Sequence, residues 1–244
     1  MNSIRFSRVS VRVAIDGSNT PKTLLHDVSL SLTERRIGVI GANGSGKSTL
    51  LRLLNGLVEP SDGTVEVHGD DTVKAGRRVR ANVGFVFTDP LSQLVMPTGR
   101  EDVELSLRRT IKNTRERATR AESVLDRFGL LPLADQSIYE LSGGERQLLA
   151  LAAVLAVDPK VLVLDEPSTL LDLRNRELLR RTVAGLDQQV IMSTHDLDLA
   201  LDMDRVLVVE SGRIIFDGGP ADGVARYREL CATALHEFPG RGQP

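Results

Sequence analysis

Gly41-Ala42-Asn43-Gly44-Ser45-Gly46-Lys47-Ser48-Thr49 lies near the N-terminal end of this 244-residue chain. The apolar segment Arg36-Ile37-Gly38-Val39-Ile40 precedes it, and a leucine-rich segment at residues 50–54 follows it. The first segment predicts a strand, and the second predicts a helix that ends near Gly56. A glycine-rich turn in this setting, closed by a lysine and two hydroxyl residues, has the Walker A pattern of a phosphate-binding loop.

The residue types of this loop suit a bound nucleotide. Glycine has no Cβ, so successive backbone N–H groups can turn inward around an anion. Lys47 offers a positive charge to the β- and γ-phosphates, and the Ser48 hydroxyl is a natural ligand for Mg²⁺. The helix that follows directs the positive end of its dipole at the same phosphates. We therefore predict that residues 41–49 bind ATP together with Mg²⁺.

A second group of functional residues follows two later apolar runs. Val161-Leu162-Val163-Leu164 predicts a buried strand that delivers Asp165 to the Mg²⁺ ion. Glu166 faces the other way and is predicted to act as the general base for the attacking water. His195 follows the run at residues 190–192 and is predicted to contact the γ-phosphate and hold Glu166 in place. Taken alone, the acidic pair could equally be a solvated turn after a strand, but the phosphate loop favours the catalytic interpretation.

A third segment, Leu141-Ser142-Gly143-Gly144-Glu145, predicts another anion site. Ser142 is a good N-cap for a helix over residues 145–157, and the two glycines leave the first N–H groups of that helix open. One chain does not need two anion sites for one γ-phosphate. The pattern therefore predicts a head-to-tail dimer, in which Ser142, Gly143, Gly144 and Glu145 contact the ATP bound by the other subunit.

The remaining patterns indicate one α/β domain. Segments up to residue 67 alternate like half-buried strands, and residues 114–128 form a charged amphipathic stretch stopped by Gly129. The later apolar runs are typical of parallel strands buried on both faces. We expect a single domain over residues 1–232, with a helical subdomain at about 89–158 inserted into the core. Residues 233–244 are expected to be a flexible tail.

Composition excludes several classes of protein. The net charge of −2 and the 3% aromatic content argue against a nucleic-acid partner. The lone Cys231 excludes an intrachain disulfide framework and suits a reducing cytoplasm. The longest apolar run, at residues 148–157, is far shorter than the roughly 20 residues that cross a bilayer. If the protein acts at a membrane, we expect another chain to supply the spanning part.

The ordered set of these motifs resembles the ATP-binding cassette (ABC) family over nearly the whole chain. It includes a segment similar to the family's D-loop, Ser168-Thr169-Leu170-Leu171-Asp172. The resemblance implies a RecA-like P-loop NTPase core, a small antiparallel β subdomain and an inserted α-helical subdomain. It also implies an ATPase that works as a sandwich dimer, with Asp172 coupling the two ATP sites.

A narrower resemblance is carried by Phe87-Thr88-Asp89-Pro90-Leu91-Ser92-Gln93-Leu94, with Pro97-Thr98 and Glu101-Asp102-Val103. This segment is similar to the ATPases of energy-coupling-factor and cobalt-type importers. The likeness implies uptake of a vitamin or metal ion at the cytoplasmic face of the membrane, with a transmembrane coupling subunit and a small integral membrane substrate-binding subunit. The run at residues 169–175 is most similar to the ATPase of tripartite biotin transporters. We expect the dimer partner to be either a second copy of this chain or a paralogous ATPase.

Two positions depart from the family pattern. Thr88 stands where the family has a glutamine that touches Mg²⁺, so we expect Thr88 to reach the metal through an intervening water. Gln93 is out of register for the same task. Val13 stands near the position where the family usually has a tyrosine that stacks on adenine, and we expect Val13 to contact the base without π-stacking. These departures predict slower hydrolysis or weaker, less base-selective nucleotide binding.

The leading alternative is a soluble, non-transport ABC ATPase with a role in metal-cluster assembly or regulation. The segment at residues 88–107 separates the two interpretations. In a transporter this segment is part of a groove that receives a helix of the membrane partner. Otherwise its apolar side chains pack beneath the helical subdomain; they are Leu91, Leu94, Val95 and Met96.

Overall fold

A computed structural model describes residues 3–14, 17 and 20–236. The first half contains β1 (Ile4–Val13), β2 (Lys22–Leu32), β3 (Arg36–Ile40), α1 (Lys47–Leu53), β4 (Asp62–Val67), β5 (Asp70–Asp71), α2 (Gly76–Asn82), β6 (Val83–Val86), α3 (Gly99–Leu107) and α4 (Thr114–Arg127). The second half contains α5 (Gly143–Leu155), β7 (Val161–Asp165), α6 (Leu173–Gly185), β8 (Gln189–Ser193), α7 (Leu197–Leu201), β9 (Arg205–Glu210), β10 (Arg213–Gly218) and α8 (Pro220–His236). Short 3₁₀ turns lie at Pro90–Ser92 and Leu131–Leu133.

Two sheets form the core, as the sequence predicts. The six-stranded sheet has the order β10-β9-β3-β8-β7-β6, and its strands are parallel except for β10. The four-stranded sheet is antiparallel, with the order β2-β1-β4-β5. In β7, Val161 and Val163 pack towards α1 and the antiparallel sheet, whereas Leu162 and Leu164 pack towards the helices on the opposite face. The predicted burial of this strand on both faces is confirmed.

The helical region lies between β6 and β7. The predicted helix at residues 114–128 is confirmed as α4, and Gly129 follows it with a φ of +68°. The predicted start of the next helix, Glu145, is wrong, because α5 begins at Gly143. Ser142 caps the helix at that earlier position, and both glycines adopt helical geometry in its first turn.

The last helix, α8, continues to His236, past the predicted domain boundary at residue 232. The rest of the predicted tail, residues 237–244, lies outside the described residues. Among the helices that are described, none combines the length and the apolar character needed to cross a bilayer.

Topology brings the motifs together. Strands β3, β7 and β8 are parallel neighbours, so their carboxyl ends meet at one edge of the sheet. The phosphate loop follows β3, Asp165 ends β7, and Ser193 ends β8. Asp165 and Ser193 are paired in register across the two strands.

Candidate active site

The loop between β3 and α1 needs glycine for steric reasons. Gly41, Gly44 and Gly46 have φ values of +151°, +75° and +113°, which side chains rarely permit. A Cβ on Gly41 would lie 2.1 Å from the carbonyl oxygen of Val209 on β9. The loop therefore passes directly against the core sheet, and its first glycine is essential to that approach.

Lys47, Glu166 and His195 form a continuous chain of side-chain contacts. The Lys47 ammonium donates to the carbonyl oxygens of Gly41 at 2.8 Å and Ala42 at 3.1 Å. The same Nζ lies 3.3 Å from Oε1 of Glu166, whose Oε2 lies 2.6 Å from Nε2 of His195. Lys47 and Glu166 are buried, whereas His195 is half-exposed at the mouth of the site.

The backbone at Glu166 explains how the two acidic neighbours separate. Glu166 has a φ of +55°, an uncommon left-handed conformation for a residue with a side chain. Its N–H donates to the hydroxyl of Ser193 at 3.0 Å and contacts the carbonyl of Ser193 at 3.1 Å. The strand turns sharply at this point, so Asp165 and Glu166 reach different partners.

Asp165 anchors the other side of the site. Its Oδ1 accepts hydrogen bonds from the hydroxyls of Ser48 at 3.0 Å and Ser193 at 2.8 Å. Thr88 is close to it as well, since its hydroxyl donates to the Asp165 backbone carbonyl at 2.9 Å. Sequence reasoning missed Ser193. The available signal was a hydroxyl side chain at the end of a buried strand. Recognising Ser193 as a site residue also required the strand order, which places its strand next to the strand that ends at Asp165.

The segment at residues 142–145 lies elsewhere. Ser142 and Glu145 form a capping box: the Ser142 hydroxyl accepts from the Glu145 N–H at 3.2 Å, and the Glu145 carboxylate accepts from the Ser142 N–H at 2.7 Å. Within the described part of the chain, the hydrogen bonds of Ser142–Glu145 do not reach the phosphate loop. Asp172 caps α6, and both Ser142 and Asp172 border one cleft between α4, α5 and α6.

Val13 lies at the end of β1, paired with Lys22 of β2. Its side chain is 39% exposed. Strand β2 itself approaches the phosphate loop, because a Cβ on Gly46 would lie 3.0 Å from the carbonyl oxygen of Leu24. Contact between Val13 and a nucleotide base stays a prediction.

Comparison with known proteins identifies the family. The family model described as "ABC transporter" matches residues 25–169, which include the phosphate loop, the capped glycine segment and the acidic pair. The chain belongs to the ABC transporter family. It is an ATP-binding transporter ATPase.

The chain is similar to three ABC proteins of known name or structure. The biotin transport ATP-binding protein BioM of Rhizobium etli is 46% identical, over 86% of this chain and 94% of the relative. CbiO1 of Clostridium perfringens, described as part of the ABC transporter complex CbiONQ, has a TM-score of 0.77 at 29% identity, over 97% of this chain and 95% of that protein. The ABC protein MJ0796, solved as a dimer with ADP and phosphate, has a TM-score of 0.81 at 26% identity, over 89% of this chain and 98% of that protein.

The position of Thr88 yields a first prediction. Replacing Thr88 with glutamine should raise the kcat of this ABC ATPase about threefold to tenfold, because the glutamine amide is longer and we expect Thr88 to reach the reacting groups only through an intervening water. Steady-state phosphate release at saturating MgATP measures the effect. Thr88→Val is the matched comparison, since it removes the hydrogen bond to Asp165 and should lower kcat. An unchanged rate in Thr88→Gln would contradict the idea that the short side chain limits hydrolysis.

Proposed function

We propose that this chain is the MgATP-hydrolysing subunit of an energy-coupling-factor-type importer, and that the favoured cargo is biotin. The observation that carries the proposal is the joined set of Lys47, Glu166 and His195 beside Ser48 and Asp165. Similarity to BioM and CbiO1 supports the importer class, and the similarity to BioM alone supports biotin over a metal ion. The protein would act at the cytoplasmic face of the membrane.

The donor set next to the phosphate loop fits Mg²⁺. Ser48 and Asp165 offer one hydroxyl and one carboxylate 3.0 Å apart, and Mg²⁺ in nucleotide sites takes few protein ligands because phosphates and water complete its shell. When bound, the ion would neutralise charge on the β- and γ-phosphates.

Each of the remaining side chains has a separate role in hydrolysis. Glu166 accepts a proton from the attacking water, which adds to the γ-phosphorus while the bond to the β-phosphate oxygen breaks. Lys47 contacts the β- and γ-phosphates through its ammonium. His195, 2.6 Å from Glu166, orients that carboxylate and reaches the γ-phosphate from the exposed side. The loop N–H groups bind the phosphate oxygens.

A dimer completes the site in this proposal. The capped N-terminus of α5 offers the N–H groups of Gly143 and Gly144 to an anion, yet it borders a cleft away from its own phosphate loop. A second cassette, either a copy or a paralogue, would bring that helix end to the ATP of the first. Asp172, which borders the same cleft, would then lie at the interface. The dimeric MJ0796 structure supports this arrangement.

The segment at residues 88–107 supports a membrane partner. Leu94 is buried in the core, as the alternative interpretation required, but Val95 is 69% and Leu91 is 39% exposed. A groove between α2, β6, α3 and α5 is bordered by Ser106 of this segment, and its apolar walls include Phe85 and Val154. The exposed apolar side chains of the segment and this groove suit a helix contributed by a transmembrane coupling subunit. The small substrate-binding membrane subunit would join through that coupling subunit.

Co-purification from native membranes tests the importer assignment. Tagged wild-type protein, extracted in mild detergent, should recover a coupling subunit and a small membrane protein, and the complex should bind radiolabelled biotin. Val95→Asp should reduce recovery of both subunits at least tenfold, because it places a charge in an apolar contact. Its ATPase activity without partners should be unchanged, since Val95 is a surface residue.

The control is Leu201→Asp, an equally polar change at an exposed leucine at the end of α7. It should leave recovery intact. Purification with soluble proteins alone would favour the cluster-assembly or regulatory alternative. Binding of a metal ion in place of biotin would retain the importer class and change the cargo.

A further inference from the structure

Two glutamine side chains hold the main chain of Phe87 from opposite sides. The Phe87 N–H donates to Oε1 of Gln93 at 2.9 Å, and the Phe87 carbonyl accepts from Nε2 of Gln147 at 3.3 Å. Gln93 also donates its Nε2 to the carbonyl of Ala150 at 3.2 Å. Since Gln147 and Ala150 both belong to α5, this pair of amides ties the end of β6 to that helix.

The same contacts connect the two halves of the ATP site. Helix α5 begins at the capped segment Ser142–Glu145, and Gln147 lies within its first two turns. Phe87 directly precedes Thr88, whose hydroxyl is bound to the backbone carbonyl of Asp165. A continuous path therefore runs from the α5 N-terminus, through the two amides and Phe87, to the residue that binds Ser48.

We propose that Gln93 and Gln147 are positioning residues that couple the placement of α5 to Thr88 and Asp165 through the Phe87 main chain. The inference rests on the proposed ATPase function and adds a route by which the N-terminus of α5 influences hydrolysis. A shift of α5 is transmitted to Thr88 because both hydrogen-bonding groups of Phe87 are bound to side chains. The position next to Phe87 carries Thr88, whose side chain is shorter than the glutamine of the family pattern.

Burial strengthens the assignment. Gln147 is 3% exposed, and its Oε1 has no hydrogen-bond partner in the described part of the structure. A leucine or methionine would satisfy the packing without an unpartnered oxygen, so packing alone does not explain an amide here. The 3₁₀ turn at Pro90–Ser92, capped by Asp89, returns the chain so that Gln93 reaches back to Phe87.

The test separates kcat from KM. Gln147→Met keeps the side-chain length and removes the donor to Phe87, and Gln93→Glu keeps the acceptor for the Phe87 N–H but opposes the Ala150 carbonyl. Each variant should lower kcat for MgATP about tenfold to 100-fold, the range expected when reacting groups are displaced by less than about 1 Å. KM should change less than about twofold, because neither glutamine touches the phosphate loop.

Gln189→Met is the matched control. Gln189 is also buried and donates to the backbone carbonyls of Leu32 and Glu34, but it lies at the opposite end of β8 from the site. It should lower Tm without changing kcat. If the control lowers kcat as much as Gln147→Met does, the loss reflects a destabilised core and the coupling is overturned.

A double-mutant cycle with Ser142→Ala tests the direction of coupling. If the amides transmit the position of α5, the double variant should be no slower than the slower single variant. If the fold-losses in kcat of the two single variants multiply in the double variant, the residues act independently and the proposal is overturned.

Amide hydrogen exchange keeps the test independent of hydrolysis. Gln147→Met should speed exchange in a peptide that contains Phe87 and Thr88 at least fivefold, because the segment loses its bond to α5. Unchanged exchange would overturn the coupling even in an active enzyme. If the wild-type protein did not hydrolyse MgATP, the ATPase proposal would fail, whereas faster exchange would still support the connection.

Discussion

Glu166→Gln should lower the kcat for ATP hydrolysis by about 10²- to 10⁴-fold, the usual contribution of a general base. Glutamine has nearly the same shape as glutamate, but it cannot accept the proton of the attacking water. The variant should still bind MgATP, because the loop glycines, Lys47 and Ser48 are unchanged. Loss of the carboxylate also frees Lys47 and His195 from the charge that now bridges them at 3.3 Å and 2.6 Å.

Single-turnover hydrolysis and equilibrium binding of a fluorescent ATP analogue measure the two effects separately. Because ATP would persist, the variant should accumulate as an ATP-dependent dimer in size-exclusion chromatography. The control is Glu229→Gln, which changes an exposed glutamate on α8 and should leave both measurements at wild-type values. Hydrolysis within threefold of wild type in Glu166→Gln would remove this residue from the role of base.

Gly41→Ala should destabilise the fold and abolish ATP binding. A Cβ at this position would lie 2.1 Å from the Val209 carbonyl oxygen and 2.9 Å from Oγ of Ser45, and backbone atoms cannot move aside as a flexible side chain can. The residue also has a φ of +151°, which strains any L side chain. Together the steric contact and the backbone strain should lower the free energy of unfolding by about 3 kcal/mol or more. The loop must then shift, and its N–H groups lose their arrangement around the phosphates.

Thermal unfolding followed by circular dichroism measures the cost. A loss of about 3 kcal/mol corresponds to a fall in Tm of about 6–12 °C for a chain of this size. Gly44→Ala is the matched variant, because Gly44 has a φ of +75° but a Cβ added there would meet no atom within 4 Å. Gly44→Ala should lower the free energy of unfolding by only about 1 kcal/mol, because it adds backbone strain without a steric contact. Equal falls in Tm would show that contact with Val209 is unimportant.

Local patterns predicted most of the secondary structure. The phosphate loop lies between β3 and α1 as expected, and the runs at residues 161–164 and 190–192 are both strands. The structure of such segments can be predicted from sequence, because it is caused by the hydrophobic period or the glycine content of the segment itself. The misplaced boundary at the start of α5 reflects the capacity of glycine to join a helix when a strong cap precedes it.

The contacts between side chains of different motifs were harder to predict from the sequence than the motifs themselves. The sequence indicated that Asp165, Glu166 and His195 act with Lys47, but it did not show that Glu166 bridges Lys47 and His195. That contact depends on the left-handed turn at Glu166, which the serine at the end of β8 stabilises from another strand. Strand order is a property of the assembled sheet, so Ser193 could not be recognised from its neighbours in sequence.

The ordered motifs at residues 41–49, 141–145, 165–166 and 168–172, together with His195, thus indicated the family and the ATP chemistry from the sequence, because each motif is a local arrangement of backbone and charge. Only the tertiary structure decided which side chains meet: it paired Ser193 with Asp165 and placed Gln93 and Gln147 on the Phe87 main chain. The physical reason is that these contacts join residues from different strands and helices. Their distances follow from sheet register and helix packing, to which the whole core contributes.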